Sequence, residues 1–388
     1  MKIKKNINID DQLLAAIDIG AGLGTKIAIA GLKDFRTGCL CEKLLHQQEY
    51  GTDPLRFIQK LAHTLKKMMA SCGLDFARLD SIGVSIPGFS DDTQKIISCN
   101  NLPFLDHCDI KGPLSCACGA DVSIINDGDC GALAQWNVHR CELLYWTFGG
   151  GWGGSWISRE GSVQFPNINW DGQDRTIHIT NEPGYVSKIT KKELGDIFKD
   201  YGASWDLFLE NYAREVALEP CRVAGPDNDT NALRAETCVS GKGLWRIYHA
   251  FITKDDLDHV PEDAKNHLLN PGTAGPMIFK QYVKGDRTAR KAVSLFARIF
   301  GEAAVDILKK IKCDGAAFDI PVYLGGGLSK SFDLFVPKVR QVLDKAGVKS
   351  EIRPCHFLKT GQNANLIGAF CLAAKNSFML ENIELKKG

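Results

Sequence analysis

Strand-like and helix-like patterns of hydrophobic residues alternate along most of the chain. Short apolar runs that end at glycine, proline or asparagine predict strands, and apolar residues repeating every three or four positions predict helices. The predicted strands are 13–19, 26–30, 81–86, 122–125, 143–148 and 320–324. The predicted helices are 54–72, 112–120, 127–136, most of 191–218, 288–311, 332–346 and 366–374. This alternation favours an α/β protein.

Two further segments are interpreted as loops. The uncharged stretch from Leu143 to Ser158 contains five glycines, and beyond its first strand we interpret it as a Gly-rich loop. The polar segment 225–231 is interpreted as a surface loop. Each half of the chain also has a strand that ends in a glycine turn beside an acid or hydroxyl residue, which is a loose two-fold echo.

Length and charge limit the classes of protein to consider. A chain of 388 residues suggests about two domains. Its 47 Lys and Arg residues nearly balance 46 Asp and Glu residues, which offers no bulk attraction for nucleic acid or an anionic membrane. No apolar run reaches the roughly 18 residues of a membrane helix, and the first apolar run is too short for a secretory signal. We therefore expect a soluble, cytoplasmic protein with no nucleic-acid or membrane partner.

The fourteen cysteines do not indicate a disulfide framework in a chain of this length. The pair Cys116 and Cys118 could belong to a zinc site, which would need two more ligands. Cys99, His107 and Cys108 could be proposed as those ligands. The simpler interpretation, which we favour, is a short helix over 112–120 that precedes a strand.

Three Gly-rich turns directly follow predicted strands, at 20–24, 149–154 and 325–327. Glycine lets backbone N–H groups approach phosphate oxygens closely, although a single such turn is more often only a tight turn. None of the three fits the P-loop pattern, and the first lacks the helix that a dinucleotide fingerprint requires. Taken together, the three turns favour a phosphate-bearing ligand.

Two aspartates stand at the ends of predicted strands. Asp18 lies beside the first glycine turn, where it could hold Mg²⁺ directly or through water. Asp127 precedes a helix, where its carboxylate could accept a hydroxyl proton in phosphoryl transfer. Either residue alone could simply cap a turn or a helix. Because one aspartate could hold a metal ion and the other could act as a base, the pair favours a catalytic role over a capping role.

These motifs resemble those of the sugar kinases built on the actin/Hsp70/hexokinase fold, in particular the ROK family and the bacterial glucokinases. The resemblance spans nearly the whole chain, and the motifs occur in the order that the family has. The similar segments are 18–26 (first phosphate motif), 101–104 (sugar-binding loop), 125–134 (catalytic aspartate), 144–154 (second phosphate motif), 236–248 (after the sugar-contacting glutamate) and 322–329 (adenosine motif).

The resemblance implies a two-lobed, actin-like (ribonuclease H-like) α/β fold with a cleft between its domains. The small domain would comprise 1–126 with about 362–388, and the large domain 127–361. The implied activity is ATP- and Mg²⁺-dependent phosphorylation of the primary hydroxyl of a hexose, with glucose first. The alternatives are a kinase of an N-acetylhexosamine or another hexose, and a catalytically weak sugar-sensing regulator. Polyphosphate as the donor and a homodimer also remain open.

The resemblance also assigns roles to individual residues. Asp127 would be the general base, and Asp18 would meet Mg²⁺ through water. The residues that would bind the sugar are Asn101, Asn126, Asp127, Glu182, Tyr185 and Glu236. The residues that would face the nucleotide or its metal are Asp18, Gly24, Thr25, Lys26, Gly150, Gly151, Gly326 and Gly327.

The sequence departs from the family pattern in three places. The first glycine loop is about three residues longer than usual, and the second has Gly150 where the family has a threonine, which removes a hydroxyl donor. Tyr185 replaces a histidine that binds zinc in zinc-containing relatives together with a downstream cysteine cluster. Because 186–220 contains neither cysteine nor histidine, we expect no zinc site.

Overall fold

The computed structural model describes residues 2–3, 12–20, 24–36, 38–90, 93–99, 102–164, 182–218, 231–252, 262–313 and 319–385. The chain forms two compact units, the first comprising 1–139 with 361–388 and the second comprising 140–360. Each unit has its own hydrophobic core. The domain boundary expected after residue 126 falls just before a helix that lies in the first unit.

The strands are β1 (Lys2–Ile3), β2 (Leu13–Gly20), β3 (Gly24–Gly31), β4 (Cys41–Leu45), β5 (Leu79–Ile86), β6 (Phe89–Ser90), β7 (Ile96–Ser98), β8 (Asp121–Asn126), β9 (Leu143–Phe148), β10 (Trp152–Ile157), β11 (Val163–Gln164), β12 (Lys188–Thr190), β13 (Ala232–Arg234), β14 (Val322–Gly326) and β15 (Ile352–Pro354).

The helices are α1 (Pro54–Ser71), α2 (Lys111–Cys118), α3 (Asp127–His139), α4 (Pro183–Val186), α5 (Lys191–Asp200), α6 (Trp205–Leu218), α7 (Gly241–His249), α8 (Glu262–Leu269), α9 (Ala274–Val283), α10 (Arg287–Cys313), α11 (Phe332–Lys345), α12 (His356–Thr360) and α13 (Ala364–Leu385). Among the described residues, no helix has both the length and the apolar character needed to cross a membrane.

The first unit is built on a six-stranded sheet with the order β1-β4-β3-β2-β5-β8. Strands β2 and β3 form an antiparallel hairpin, whereas β2, β5 and β8 run parallel. In this register Asp18 lies opposite Ser85, and Ile86 lies opposite Asn126. The parallel strands therefore bring Asp18, Ser85 and Asn126 to one edge of the sheet.

Two helices of the first unit show how the sequence sets its packing. Asp53 caps α1 by accepting the N–H of Arg56, and the apolar stripe of α1 is buried in the core. Helix α13 lies against β2 and β5, and Ser81 Oγ donates to the carbonyl of Ala373 at 2.9 Å. This docking holds the first turn of α13 beside the edge of the sheet that carries Asp18.

The second unit is built on a five-stranded sheet with the order β11-β10-β9-β14-β15. Strands β9 and β10 form an antiparallel hairpin, and β14 runs parallel to β9 and β15. Each unit thus contains a hairpin whose first strand pairs in parallel with a later strand, as the two-fold echo in the sequence suggested. The apolar side of α10 supplies much of the second core.

All of the predicted strands and helices are present, including the short helix α2, which was predicted over 112–120. The predicted helical stretch 191–218 is divided into α5 and α6. The interpretation of 149–158 as a Gly-rich loop is wrong, because only 149–151 form a turn and β10 begins at Trp152. Burial of Trp152, Trp156 and Ile157 outweighs the low strand propensity of glycine here. The predicted loop 225–231 lies largely outside the described residues.

Candidate active site

The Asp18 carboxylate is buried at the end of β2 and is held from both sides. Ser85 Oγ and Asn365 Nδ2 each donate to Oδ1 at 3.2 Å, and Asn363 Nδ2 donates to Oδ2 at 2.9 Å. Lys26 Nζ lies 3.9 Å from Oδ2. These partners fix the orientation of the carboxylate and compensate for its burial.

The Asp18 site fits a hydrated magnesium ion better than a directly bound one. Carboxylate oxygens are the ligands that Mg²⁺ prefers, but both oxygens of Asp18 already accept hydrogen bonds. Within the described part of the chain, no group of three or more His, Cys, Asp or Glu residues could hold a metal ion. A magnesium ion here would therefore depend on phosphate oxygens and water for most of its ligands.

Asp127 begins α3 directly after β8. The N–H of Gly128 donates to Asp127 Oδ1 at 2.9 Å and to Asn126 Oδ1 at 2.8 Å, while Asn126 Nδ2 donates to the carbonyl of Gly88 at 3.0 Å. The pKa of Asp127 is raised to about 7, mainly because the carboxyl is buried and to a smaller extent because of the negative charge of Asp18. A carboxylate with this pKa can accept a proton near neutral pH and release it again.

This pKa predicts how activity depends on pH. If Asp127 acts as a base it must be deprotonated, so kcat should rise with pH on a limb centred near the pKa of about 7. A kcat profile from pH 5 to 9 measures this limb directly. A profile that stays flat between pH 5 and 8 while phosphoryl transfer limits the rate would contradict the assignment.

The first glycine turn leads into β3. Gly24 pairs with Gly20 across the hairpin, and the buried Thr25 follows it. Residues 21–23 of this turn lie outside the described residues. Within the described part of the chain, Thr25 Oγ1 is buried without a hydrogen-bond partner. A hydroxyl donor of this kind suits a phosphate oxygen, so the residues present fit a nucleotide phosphate.

The second and third glycine turns lie at one edge of the second sheet. Gly326 pairs with Phe148 between two parallel strands, which places 326–327 beside the turn 149–151. The N–H of Gly241, at the start of α7, donates to the carbonyl of Gly149 at 3.0 Å. The two turns that the sequence assigned to the nucleotide are thus brought together.

An aromatic cluster supports the turn 149–151 from below. The ring of Trp152 lies 5.2 Å from those of Trp146 and Phe300 and 5.5 Å from that of Phe148, measured between centroids. The pairs that Trp152 forms with Trp146 and Phe300 are edge-on, and such pairs each contribute about 0.5–1.5 kcal/mol beyond their buried area. This packing restricts the motion of Trp152 and therefore of the glycine turn 149–151 that precedes it.

Glu236 lies in a short 3-10 helix, Ala235–Thr237, next to the second glycine turn. The N–H of Trp152 lies 3.5 Å from Glu236 Oε2, and a Cβ at Gly151 would lie only 2.7 Å from the same oxygen. The structure therefore places Gly151, which was assigned to the nucleotide, against a carboxylate that was assigned to the sugar.

Glu182 immediately precedes α4, which packs against the turn that carries Glu236. A Cβ at Gly184 would lie 2.9 Å from the Cβ of Glu236 and 2.6 Å from that of Trp152, so only glycine allows this approach. The half-buried Tyr185 follows, and Arg234 Cζ lies 3.5 Å from the centroid of its ring. Arg234 was not among the predicted site residues.

A buried ion pair anchors the turn that carries Glu236. Arg246 donates from Nη1 to the carbonyl of Thr237 at 2.6 Å, and from Nε and Nη2 to Glu215 Oε2 at 2.9 and 2.7 Å. Lys242 Nζ lies 2.8 Å from Glu215 Oε1. This contact could not be predicted from the sequence, because Glu215 and Arg246 are 31 residues apart along the chain.

Asn101, the remaining predicted sugar ligand, lies outside the described residues. The cysteines considered for zinc fall in or near α2, where Cys118 is buried and Cys116 is exposed.

We expect metal analysis of the purified protein by mass spectrometry to find no stoichiometric zinc. Zinc that survives dialysis against a weak chelator would contradict this expectation and would indicate a zinc site at Cys116 and Cys118.

Two family models match the chain, that of the ROK family over residues 14–163 and that of glucokinase over residues 219–375. A similar curated protein is an N-acetyl-D-glucosamine kinase of Pasteurella multocida strain Pm70. It is 29% identical over 367 residues, which cover 92% of this chain and 97% of that protein.

Two solved structures resemble the model in fold. A ROK-family glucokinase from Streptomyces griseus, in complex with glucose and AMPPNP, has a TM-score of 0.59 at 19% identity, covering 94% of this chain and 99% of that one. A ROK-family transcriptional regulator, a homologue of the E. coli MLC protein, has a TM-score of 0.66 at 15% identity, covering 96% of this chain and 81% of that one. The fold is therefore shared by an enzyme and a regulator.

The two mixed sheets and the strand-end carboxylates define an α/β protein of the actin-like ATPase fold. The ROK match and the glucokinase match each span less than half of the chain, and together they span most of it. The chain therefore carries a ROK-family segment and a glucokinase-family segment, and the similar curated proteins are sugar kinases, which are phosphotransferases with an alcohol group as acceptor.

Proposed function

We propose that the protein transfers the γ-phosphoryl group of ATP to the primary hydroxyl of a hexose-type sugar. The observation that carries this proposal is that Asp127, a strand-end carboxylate beside Asp18, has a pKa raised to about 7. A base with this pKa suits the deprotonation of a hydroxyl at neutral pH. A regulator that only senses sugar could use the same carboxylate as a hydrogen-bond acceptor, but it would not need a base that titrates near neutral pH.

In the first unit, Asp127 accepts the proton of the attacking hydroxyl, and the hydrogen bond from Gly128 fixes the carboxylate in place. Gly24, Thr25 and Lys26 contact phosphate oxygens. Asp18 would hold Mg²⁺ through water, and the ion would supply neutralisation of the charge that develops on the phosphoryl oxygens.

In the second unit, the carboxylates of Glu182 and Glu236 accept hydrogen bonds from the ring hydroxyls of the sugar. A site built to bind particular hydroxyls strongly rejects analogues that lack them. The turns 149–151 and 326–327 present backbone N–H groups to the nucleotide.

N-acetylglucosamine is the sugar that we propose first, and glucose is the second candidate. The similar protein from Pasteurella multocida carries the name N-acetyl-D-glucosamine kinase and aligns over nearly its full length. The match of the glucokinase model to 219–375, the region that contains Glu236, supports glucose.

A coupled ADP-release assay across hexoses, hexosamines and N-acetylhexosamines, with and without Mg²⁺, tests this function. We expect Mg²⁺-dependent ADP release with N-acetylglucosamine or glucose and no release without sugar. A separate arm replaces ATP with polyphosphate and follows formation of the sugar phosphate, because polyphosphate releases no ADP. No sugar-dependent turnover with either donor would overturn the proposal.

A further inference from the structure

We propose that the stack of Tyr185 on Arg234 is a positioning device that fixes the two sugar-binding carboxylates relative to each other. The proposal rests on the proposed function, since it concerns Glu182 and Glu236. It assigns to Tyr185 a role through packing on Arg234, and it adds Arg234 to the residues on which sugar affinity depends.

The stack joins the two segments that carry the carboxylates. Tyr185 lies in α4, directly after Glu182, whose carbonyl accepts the N–H of Tyr185 at 3.1 Å. Arg234 is the last residue of β13, two positions before Glu236. A contact between the tyrosine ring and the guanidinium therefore links one carboxylate to the other through very few rotatable bonds.

The backbone on both sides of the stack is already paired. Lys188 lies opposite Arg234 in the antiparallel pair of β12 and β13, and the N–H of Ala235 donates to the carbonyl of Ser187 at 2.7 Å. The one-turn helix α4 is packed in three ways: Val186 is buried in the core, Gly184 lies against Trp152 and Glu236, and Tyr185 stacks on Arg234.

The geometry of the stack suits a rigid link. The guanidinium is planar, and its Cζ lies 3.5 Å from the ring centroid, whereas Arg246 Cζ lies 5.2 Å from the ring centroid of Tyr212. Arg234 is 8% exposed, so little water competes with the ring. A cation–π contact is strongest when it is desolvated in this way.

Steady-state kinetics of four variants test the proposal. Tyr185→Phe keeps the ring and should keep the sugar KM within about threefold of wild type, whereas Tyr185→Leu and Arg234→Gln should raise it about tenfold or more. The KM for ATP and kcat should stay within about threefold in all of them, because the stack acts on sugar binding alone. Arg234→Lys keeps the charge but not the planar group, and should fall between Arg234→Gln and wild type.

Tyr282→Leu is the matched control. Tyr282 contacts Arg290 in the same unit, with Cζ 5.9 Å from its ring centroid, so its loss removes a similar pair outside the proposed site. Sugar KM should not change in this variant. Thermal melts identify variants that fail to fold, in which case Arg234→Lys decides the outcome.

Three results would overturn the proposal. The first is an unchanged sugar KM in folded Tyr185→Leu, and the second is an equal rise in the KM values for sugar and ATP. The third is a Tyr185→Phe variant as impaired as Tyr185→Leu, or with a changed ranking of epimeric hexoses, because the hydroxyl would then contact the sugar.

Failure of the proposed function would look different, since wild type itself would then release no ADP with any sugar. Sugar binding followed by tryptophan fluorescence would then test the stack alone, and a wild type that binds no sugar overturns both.

Discussion

Asp127→Asn should lower kcat by about 10²–10⁴-fold, the usual contribution of a general base, while sugar binding stays largely intact. Asparagine has nearly the same shape but cannot accept the hydroxyl proton at neutral pH. The limb of the kcat profile near pH 7 should disappear with it. Steady-state kinetics and sugar titration by calorimetry separate the two effects.

The same substitution should stabilise the fold at alkaline pH. Because the pKa of Asp127 is raised from its ordinary 3.8 to about 7, the folded state binds this proton more tightly than the unfolded state. Stability of the wild type therefore falls as pH rises between these values, and Asp127→Asn should melt at a higher temperature than wild type above pH 7. This advantage should vanish near pH 4.

Asp121→Asn is the matched control for Asp127→Asn. Asp121 is exposed at the opposite end of the same strand, β8, so this variant loses a carboxylate without touching the predicted base. Its kcat and its thermal stability at pH 8 should match those of wild type. An Asp127→Asn variant that keeps more than about a third of wild-type kcat would remove Asp127 from the role of base.

Glu236→Gln should raise the sugar KM by roughly 10- to 100-fold, because a hydrogen bond to a charged acceptor contributes about 1.5–3 kcal/mol. Glu236 is half-buried against the turn 149–151, and the neutral amide keeps its size but loses the charge. Glu182→Gln should act in the same direction. Kinetics with sugar and ATP varied separately give the two KM values.

The control for these variants is Glu302→Gln, which removes a partly exposed carboxylate paired with Arg298 on α10. Neither KM should change there, since exposed pairs contribute little. If Glu236→Gln and Glu182→Gln both raise the KM for ATP and leave that for sugar unchanged, the two ligands have been assigned to the wrong residues.

Local patterns in the sequence were enough to predict most elements. The run 13–19, the turn that follows it and the run 26–30 predicted the hairpin β2–β3, because period-two burial and glycine punctuation are local signals. The same logic failed at 149–158. There the glycines outnumbered the apolar residues locally, but the sheet buries Trp152 and Trp156 nonetheless.

The candidate site was predicted only in part, because its support comes from distant positions. Asp18 was found from its strand end, but Asn363 and Asn365, which donate to it, lie about 345 residues further on. At the start of the last predicted helix, two asparagines indicate only a helix cap. Arg234 could not be predicted as a site residue, because a single arginine in a short strand does not indicate that it will contact the ring of Tyr185.

The most direct test of the central claim compares sugars with and without the hydroxyl that Asp127 is proposed to deprotonate. Wild-type protein with ATP and Mg²⁺ is assayed for ADP release on N-acetylglucosamine and glucose, and on the 6-deoxy form of each. Turnover with at least one parent sugar and only background release with its 6-deoxy form is the predicted result. Equal ADP release from a parent sugar and its 6-deoxy form would contradict transfer to the primary hydroxyl.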